Sequence, residues 1–170
     1  DTYNVAVGYS AGSEITTGVQ NTCIGGLAGD ALTDADNNVA VGLLALTADT
    51  QGSQSTAIGV SALQVQNLTS ATSTNNTALG YGAGSGVTTG TSNTLIGASA
   101  GASGVDLTTG GGNVIIGVST NAGLAGRVNS IVIGNSVVST GNAQFTFGNG
   151  TTDSNIALGA TSITAPSDER

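Results

Sequence analysis

The chain has 170 residues and a formal charge of −8, from 10 Asp and Glu against 2 Lys and Arg, with no His. Two arginines make neither a basic patch for nucleic acid nor a polybasic membrane segment, and no run approaches the roughly 18 apolar residues of a membrane span. At 38% hydrophobic, 7% charged and one Pro the composition is not that of a disordered chain, yet 28 Gly and 3% aromatics leave only small apolar side chains, which suits a thin repetitive structure.

Asp1 is followed by neither a basic segment nor an apolar one, so no signal peptide is expected and the chain reads as a fragment or processed product. From there a five-residue unit recurs: Asn, β-branched, small, aliphatic, Gly. It begins at Asn4, Asn21 and Asn38 and closes at Gly8, Gly25 and Gly42. A copy headed by Ser55 closes at Gly59, and copies from Asn76, Asn93 and Asn113 close at Gly80, Gly97 and Gly117. Degenerate copies end at Gly134, Gly148 and Gly159, the last headed by Asn155. Successive glycines lie 17, 17, 17, 21, 17, 20, 17, 14 and 11 residues apart, so the dominant period is 17.

The apolar period within each unit is 2, and frequent Gly opposes helix at about 0.5–1 kcal/mol per residue. Every unit is therefore expected to be a strand. The fourth column, from Val7 and Ile24 to Leu158, is apolar throughout and reads as the core stripe, sharing its face with the second column. The third column points the other way. It starts Ala6, Cys23, Ala40, Ala57 and Ala78, then enlarges to Leu95, Ile115 and Val132. A strand apolar on both sides is expected to be buried on both, and one thin roll hides only one side, so the small column is expected to meet another chain near a symmetry axis. The Asn column is expected to form a ladder of amides stacked coil upon coil.

In most of the N-terminal coils the strand is followed by Gly, two residues, Ala, then Gly or Leu, as in the segments from Gly8 and Gly80. A Thr-rich corner follows, as at Thr16-Thr17-Gly18, Thr88-Thr89-Gly90 and Thr108-Thr109-Gly110. Each period is thus read as a strong strand, a turn, a weaker strand and another turn. The expected fold is all-β: a parallel β-solenoid or β-roll of about ten short coils over residues 1–160, with a tail at 161–170.

These repeats resemble the head repeats of trimeric autotransporter adhesins, the YadA-like left-handed β-roll, and more closely the repeat arrays of bacteriophage tail fibres. Asn4 to Gly18 and Asn76 to Gly90 carry that pattern almost whole. The resemblance implies a left-handed roll, a homotrimer either intertwined or side by side, an extracellular place on a virion or bacterial surface, and a host receptor, with a glycan among the candidates. Nucleic acid and membrane insertion form no part of that expectation. The C-terminal segment through Ser167-Asp168-Glu169-Arg170 resembles the start of an endosialidase-type intramolecular chaperone, which would make Ser167 the self-cleavage position of a parent chain.

Candidate chemistry is sparse. Asp34, Asp36 and Asn38 have the spacing of part of a calcium loop, without the turn Gly and terminal Glu of an EF-hand. Cys23 in a column of alanines reads as a small buried apolar group. Tyr9 and Tyr81 follow motif glycines and are candidates to stack on sugar rings, and the irregular segments 64–75 and 102–112 are where receptor contacts are expected. Asn67-Leu68-Thr69 and Asn75-Asn76-Thr77 match glycosylation sequons, as a Thr-rich chain does by chance. With no His and no Lys, acid–base and nucleophilic options are thin. The chain reads as a fibre or adhesin segment without cofactor or enzymatic activity. An ice-binding solenoid and a polysaccharide-degrading solenoid are the other classes considered.

Overall fold

The computed structural model describes residues 2–159; Ser167 and the rest of the expected chaperone junction lie outside that range. All the regular structure is β. Nine short strands run parallel in one sheet: β1 (Val5–Val7), β2 (Thr22–Ile24), β3 (Val39–Val41), β5 (Thr56–Ile58), β7 (Thr77–Leu79), β8 (Thr94–Ile96), β9 (Val114–Ile116), β10 (Ile131–Gly134) and β11 (Gln144–Gly148). Each pairs with the next in the motif's own register, so Ala6 stands beside Cys23, Cys23 beside Ala40 and Ala40 beside Ala57. Stacking like on like is what a repeating sequence dictates, because each residue type then meets its own kind at the ~4.8 Å strand spacing.

The coil count is lower than the motif count. The last motif forms β12 (Ser154–Ala157), which pairs antiparallel with β11. Eleven residues from Gly148 to Gly159 are too few for a full coil, so the chain turns back and ends the parallel stack after about 8 turns. The weaker second strand of each period is also largely missing. Among the described residues it forms only as β4 (Gly52–Ser53) beside β6 (Thr72–Ser73), plus one bridge between Asn121 and Val138. Elsewhere the corners stack through turn backbone. At Thr16, Thr17 and Gly18, three successive N–H groups converge on the carbonyl of Thr33 in the next coil. Thr88, Thr89 and Gly90 do the same with Thr108, and Thr108, Thr109 and Gly110 with Ala125.

The expected inside and outside of the strand are reversed. Cys23, Ala40, Ala57, Ala78, Leu95, Ile115 and Val132, the third column, are fully buried inside the roll. The fourth column faces out: Val7 is 57% exposed, Leu79 46% and Ile58 37%. Size explains the choice. The opposite wall of each early coil sends one large side chain across the narrow interior, and only a small residue on the strand leaves room for it. Ile15, Leu32 and Val87 take that role, beside a second buried column at Ala28, Ala45, Ala62, Ala83 and Ala100. In two coils the large residue moves to Leu46 and Leu63, and the position that it vacates holds Asp49 and Gln66, also fully buried.

From Gly8 to Gly134 the fifth-column glycines are required by two constraints at once. Gly25 has φ +134°, and a Cβ there would lie 2.6 Å from the carbonyl oxygen of Gly42 in the next coil. No side chain fits that approach. Just before most motifs a non-glycine residue sits in the left-handed region, among them Gln20, Asn37 and Gln54 at φ 60°, 60° and 64°. Polar side chains tolerate that conformation best.

Candidate functional site

The Asn column does not work as a pure amide ladder. Asn21 Oδ1 accepts the N–H of Asn38 at 2.9 Å, and Asn21 Nδ2 donates across its own coil to the Ala35 carbonyl at 2.7 Å. Asn4, Asn38, Asn76, Asn93 and Asn113 repeat the carbonyl bond, to Gly18, Gly52, Gly90, Gly110 and Arg127. Each amide thus ties its strand to the next and to the opposite corner. Within the column, among the described residues, amide-to-amide bonds appear only at Asn93 with Asn76 and Asn113 with Asn93. Asn155 leaves the column: it is exposed on β12, and its Oδ1 accepts the Thr146 hydroxyl.

The column breaks at Ser55, whose short side chain cannot reach across. A buried polar cluster fills the gap. Gln66 Nε2 donates to Ser55 Oγ at 3.0 Å and to Asp49 Oδ2 at 2.5 Å, while Gln66 Oε1 accepts from Asn76 Nδ2 at 2.8 Å. Asp49 Oδ1 accepts the N–H groups of Gly52 and Leu68, and the hydroxyls of Ser55 and Thr74 are hydrogen-bonded to each other. No buried side-chain polar atom lacks a partner among the described residues. This cluster was not anticipated. Its signal was the paired appearance of Leu46 with Asp49 and Leu63 with Gln66, where other coils place Gly with Ile, Leu or Val. Its partners are all internal, so it is a structural patch and not a site open to a ligand.

The three residues of the calcium spacing each have other partners. The Asp36 carboxylate accepts the Val19 N–H at 2.8 Å, Asp34 accepts the Thr33 hydroxyl at 3.2 Å, and Asn38 is locked in the amide column. No group of three or more His, Cys, Asp and Glu lies close enough to hold a metal among the described residues. Cys23 is buried inside the roll, and desolvation pushes its thiol up to about 11, which keeps it protonated and unreactive near neutral pH. Three further acids lie apart from one another: Asp49 is buried, Asp106 is exposed, and Asp153 caps the Gly150 N–H at 2.8 Å.

The feature that does run the length of the molecule is the outer face of the sheet. Val5, Val7, Ile24, Ile58, Leu79, Ile133 and Phe147 are exposed along it, flanked by Leu43, Val60 and Val118 from the position after each Gly. From Asn4–Tyr9 in the first coil to Gln144–Asn149 in the ninth, no motif segment or residue after its Gly carries a charge. The acids Glu14, Asp30, Asp34, Asp36 and Asp106 sit on the turns and corners. Eight strand spacings of ~4.8 Å by four residues of ~3.3 Å give an uncharged face on the order of 500 Å², apolar except at Thr22, Thr56, Thr77 and Thr94. That is near the upper end of what a monomeric protein exposes. Tyr9 (80% exposed) and Tyr81 (66%) edge this face, and Phe145 and Phe147 stack near its C-terminal end with centroids 5.1 Å apart. In the expected contact segments, Asn67 and 69–73 are exposed while Gln66 and Leu68 are buried, and 104–106 are exposed.

No family model, curated protein or solved structure matches the chain.

Proposed function

We propose that this chain is a structural and adhesive segment of a trimeric extracellular fibre, in the manner of a phage tail fibre presenting a surface to a host receptor. The observation that carries the reading is the uncharged apolar face along the whole sheet. An acidic chain that repels its copies elsewhere offers them one face without repulsion. If three chains turn that face toward a common axis, each contributing on the order of 500 Å², the assembly covers on the order of 1,500 Å² in all, shared among three pairwise contacts. The axis is then lined by the second and fourth columns, with the small third column left inside each roll. This replaces the arrangement that the column sizes first suggested.

The role is mechanical and presents rather than transforms: a stiff rod whose tyrosines and irregular corners remain available outside the axis, where three copies multiply weak contacts. A bacterial trimeric surface adhesin belongs to the same reading, since it would use the same face. Ice binding fits less well, because the Thr16, Thr33 and Thr88 hydroxyls donate to carbonyls of the next coil rather than presenting an ordered array to water. The test is chemical cross-linking of dilute protein followed by flow cytometry of the labelled protein on a panel of bacterial strains. Cross-linked trimers and strain-selective binding support the fibre role. A single-chain species that labels no strain, or labels all equally, contradicts it.

A further inference from the structure

The two ends of the roll differ. At the C-terminal end β12 folds back antiparallel and closes the parallel stack. At the N-terminal end nothing among the described residues covers β1, and all three of its residues are exposed. Ala6 is exposed although its counterparts Cys23, Ala40 and Ala57 are fully buried, and Ile15 is only partly buried where Leu32 is fully so. The interior is open at this end.

The backbone there is patterned. In later coils the N–H groups of Asn21, Gly25 and Leu27 donate to the preceding coil, at Asn4 Oδ1, Val7 O and Tyr9 O, with each distance 2.8 Å. The equivalent N–H groups of Asn4, Gly8 and Ser10 have no partner among the described residues. The same holds for acceptors. The carbonyls of Asn21, Ala28 and Thr33 receive N–H groups from the preceding coil, whereas those of Asn4, Ala11 and Thr16 receive none. The chain also arrives in the conformation of a coil already under way. Tyr3 has φ 52°, matching Gln20, Asn37 and Gln54, and Thr2 O accepts the Gln20 N–H at 2.7 Å just as Val19 O accepts that of Asn37.

We propose that this end is a stacking surface for one more parallel coil of the same repeat chemistry. The occupant is a segment of about seventeen residues with Asn at its head, a small residue facing inward and Gly after the strand. Its Asn Oδ1 and two strand carbonyls take the N–H groups of Asn4, Gly8 and Ser10. Its N–H groups reach the carbonyls of Asn4, Ala11 and Thr16, and its small residue closes the core over Ala6. Edge pairing of this kind supplies affinity through the main chain and register through alternate side chains.

The test is an extended chain in which residues 2–18 are duplicated in tandem directly ahead of Thr2, compared with the unextended chain by amide hydrogen exchange. The expected result is exchange at Asn4, Gly8 and Ser10 slower by on the order of tenfold or more. Unchanged exchange overturns the proposal. Ala6→Asp gives a second reading: it barely shifts the melting temperature of the unextended chain and lowers that of the extended one strongly, and an equal effect in both contradicts a closed core over Ala6. A synthetic peptide of residues 2–18, added to the unextended chain, is the third. Slowed exchange at the same three amides supports the proposal, and no slowing at saturating peptide counts against it. Protection in the unextended chain that rises with its own concentration assigns the end to a second copy and overturns the proposal.

Discussion

The inner and outer faces of the one sheet are built from the same strands yet obey different rules. Inside, the third column is restricted to small residues in the first five coils, because Ile15, Leu32, Leu46, Leu63 and Val87 cross the interior toward it. Only from Leu95 onward does the column enlarge. Outside, the second and fourth columns run Val, Thr, Ile, Leu and Phe with no size rule at all. The inner face therefore decides whether the coil forms, and the outer face decides what the coil meets. Substitutions on the two faces should separate fold from assembly.

The largest effect belongs to Ala57→Asp. Ala57 is fully buried with no polar partner at hand, so an unpaired carboxylate there is expected to cost about 3–5 kcal/mol and to abolish cooperative thermal unfolding followed by circular dichroism. A melting temperature within a few degrees of the parent would place Ala57 outside the core. Next comes Asn38→Ala, which strips partners from the buried Gly52 carbonyl and the Ser55 N–H. Each orphaned group costs about 1–3 kcal/mol, so urea unfolding should shift by more than the loss of an exposed hydrogen bond would give. Outside, Ile58→Asp and Leu79→Asp are expected to leave secondary structure intact and to change single-chain stability by within about 0.5 kcal/mol, while breaking self-association. Loss of the fold in those variants would show that the outer column is core after all.

The smallest effect concerns Cys23. Its thiol is raised from 9.0 to about 11, so burial favours the protonated form. The unfolded chain then releases its proton first as pH rises, and the folded state loses stability between about 9 and about 11, with no contribution below that window. Cys23→Ala, which matches the neighbouring Ala6 and Ala40, should remove this alkaline loss and change little at neutral pH. Slow reaction of the native thiol with an aromatic disulfide reagent would agree. Rapid reaction at pH 7.5 would put Cys23 at the surface.

Much of this architecture was legible in the residues. The period of 17, the strand at each motif and the invariant Gly follow from the spacing, since stacked coils repeat their chemistry at fixed intervals. The side of the strand that faces inward was not legible from alternation, because both sides are apolar and period 2 cannot rank them. Residue volume could have ranked them: a column held to Ala and Cys beside a column free to be Ile or Phe marks the tighter packing. The reversal at β12 was masked by a well-formed motif at Asn155 to Gly159, although a spacing of 11 residues already left too little chain for another turn. The polar cluster around Asp49 and Gln66 depends on contacts between coils, 17 residues apart for that pair, which no single motif displays. The calcium spacing of Asp34, Asp36 and Asn38 would put all three on one side of an extended segment, but Asn37 sits in the left-handed region at φ 60°, and Asp36 and Asn38 each accept a backbone N–H of a neighbouring coil.

The role of the outer face is tested most directly by sedimentation equilibrium on the parent chain and on Ile58→Asp, both over a wide dilution series. The fibre account predicts three times the 16.2 kDa chain mass for the parent, stable on dilution, and the single-chain mass for the variant with its β structure unchanged. A parent that sediments as one folded chain at every concentration would contradict it.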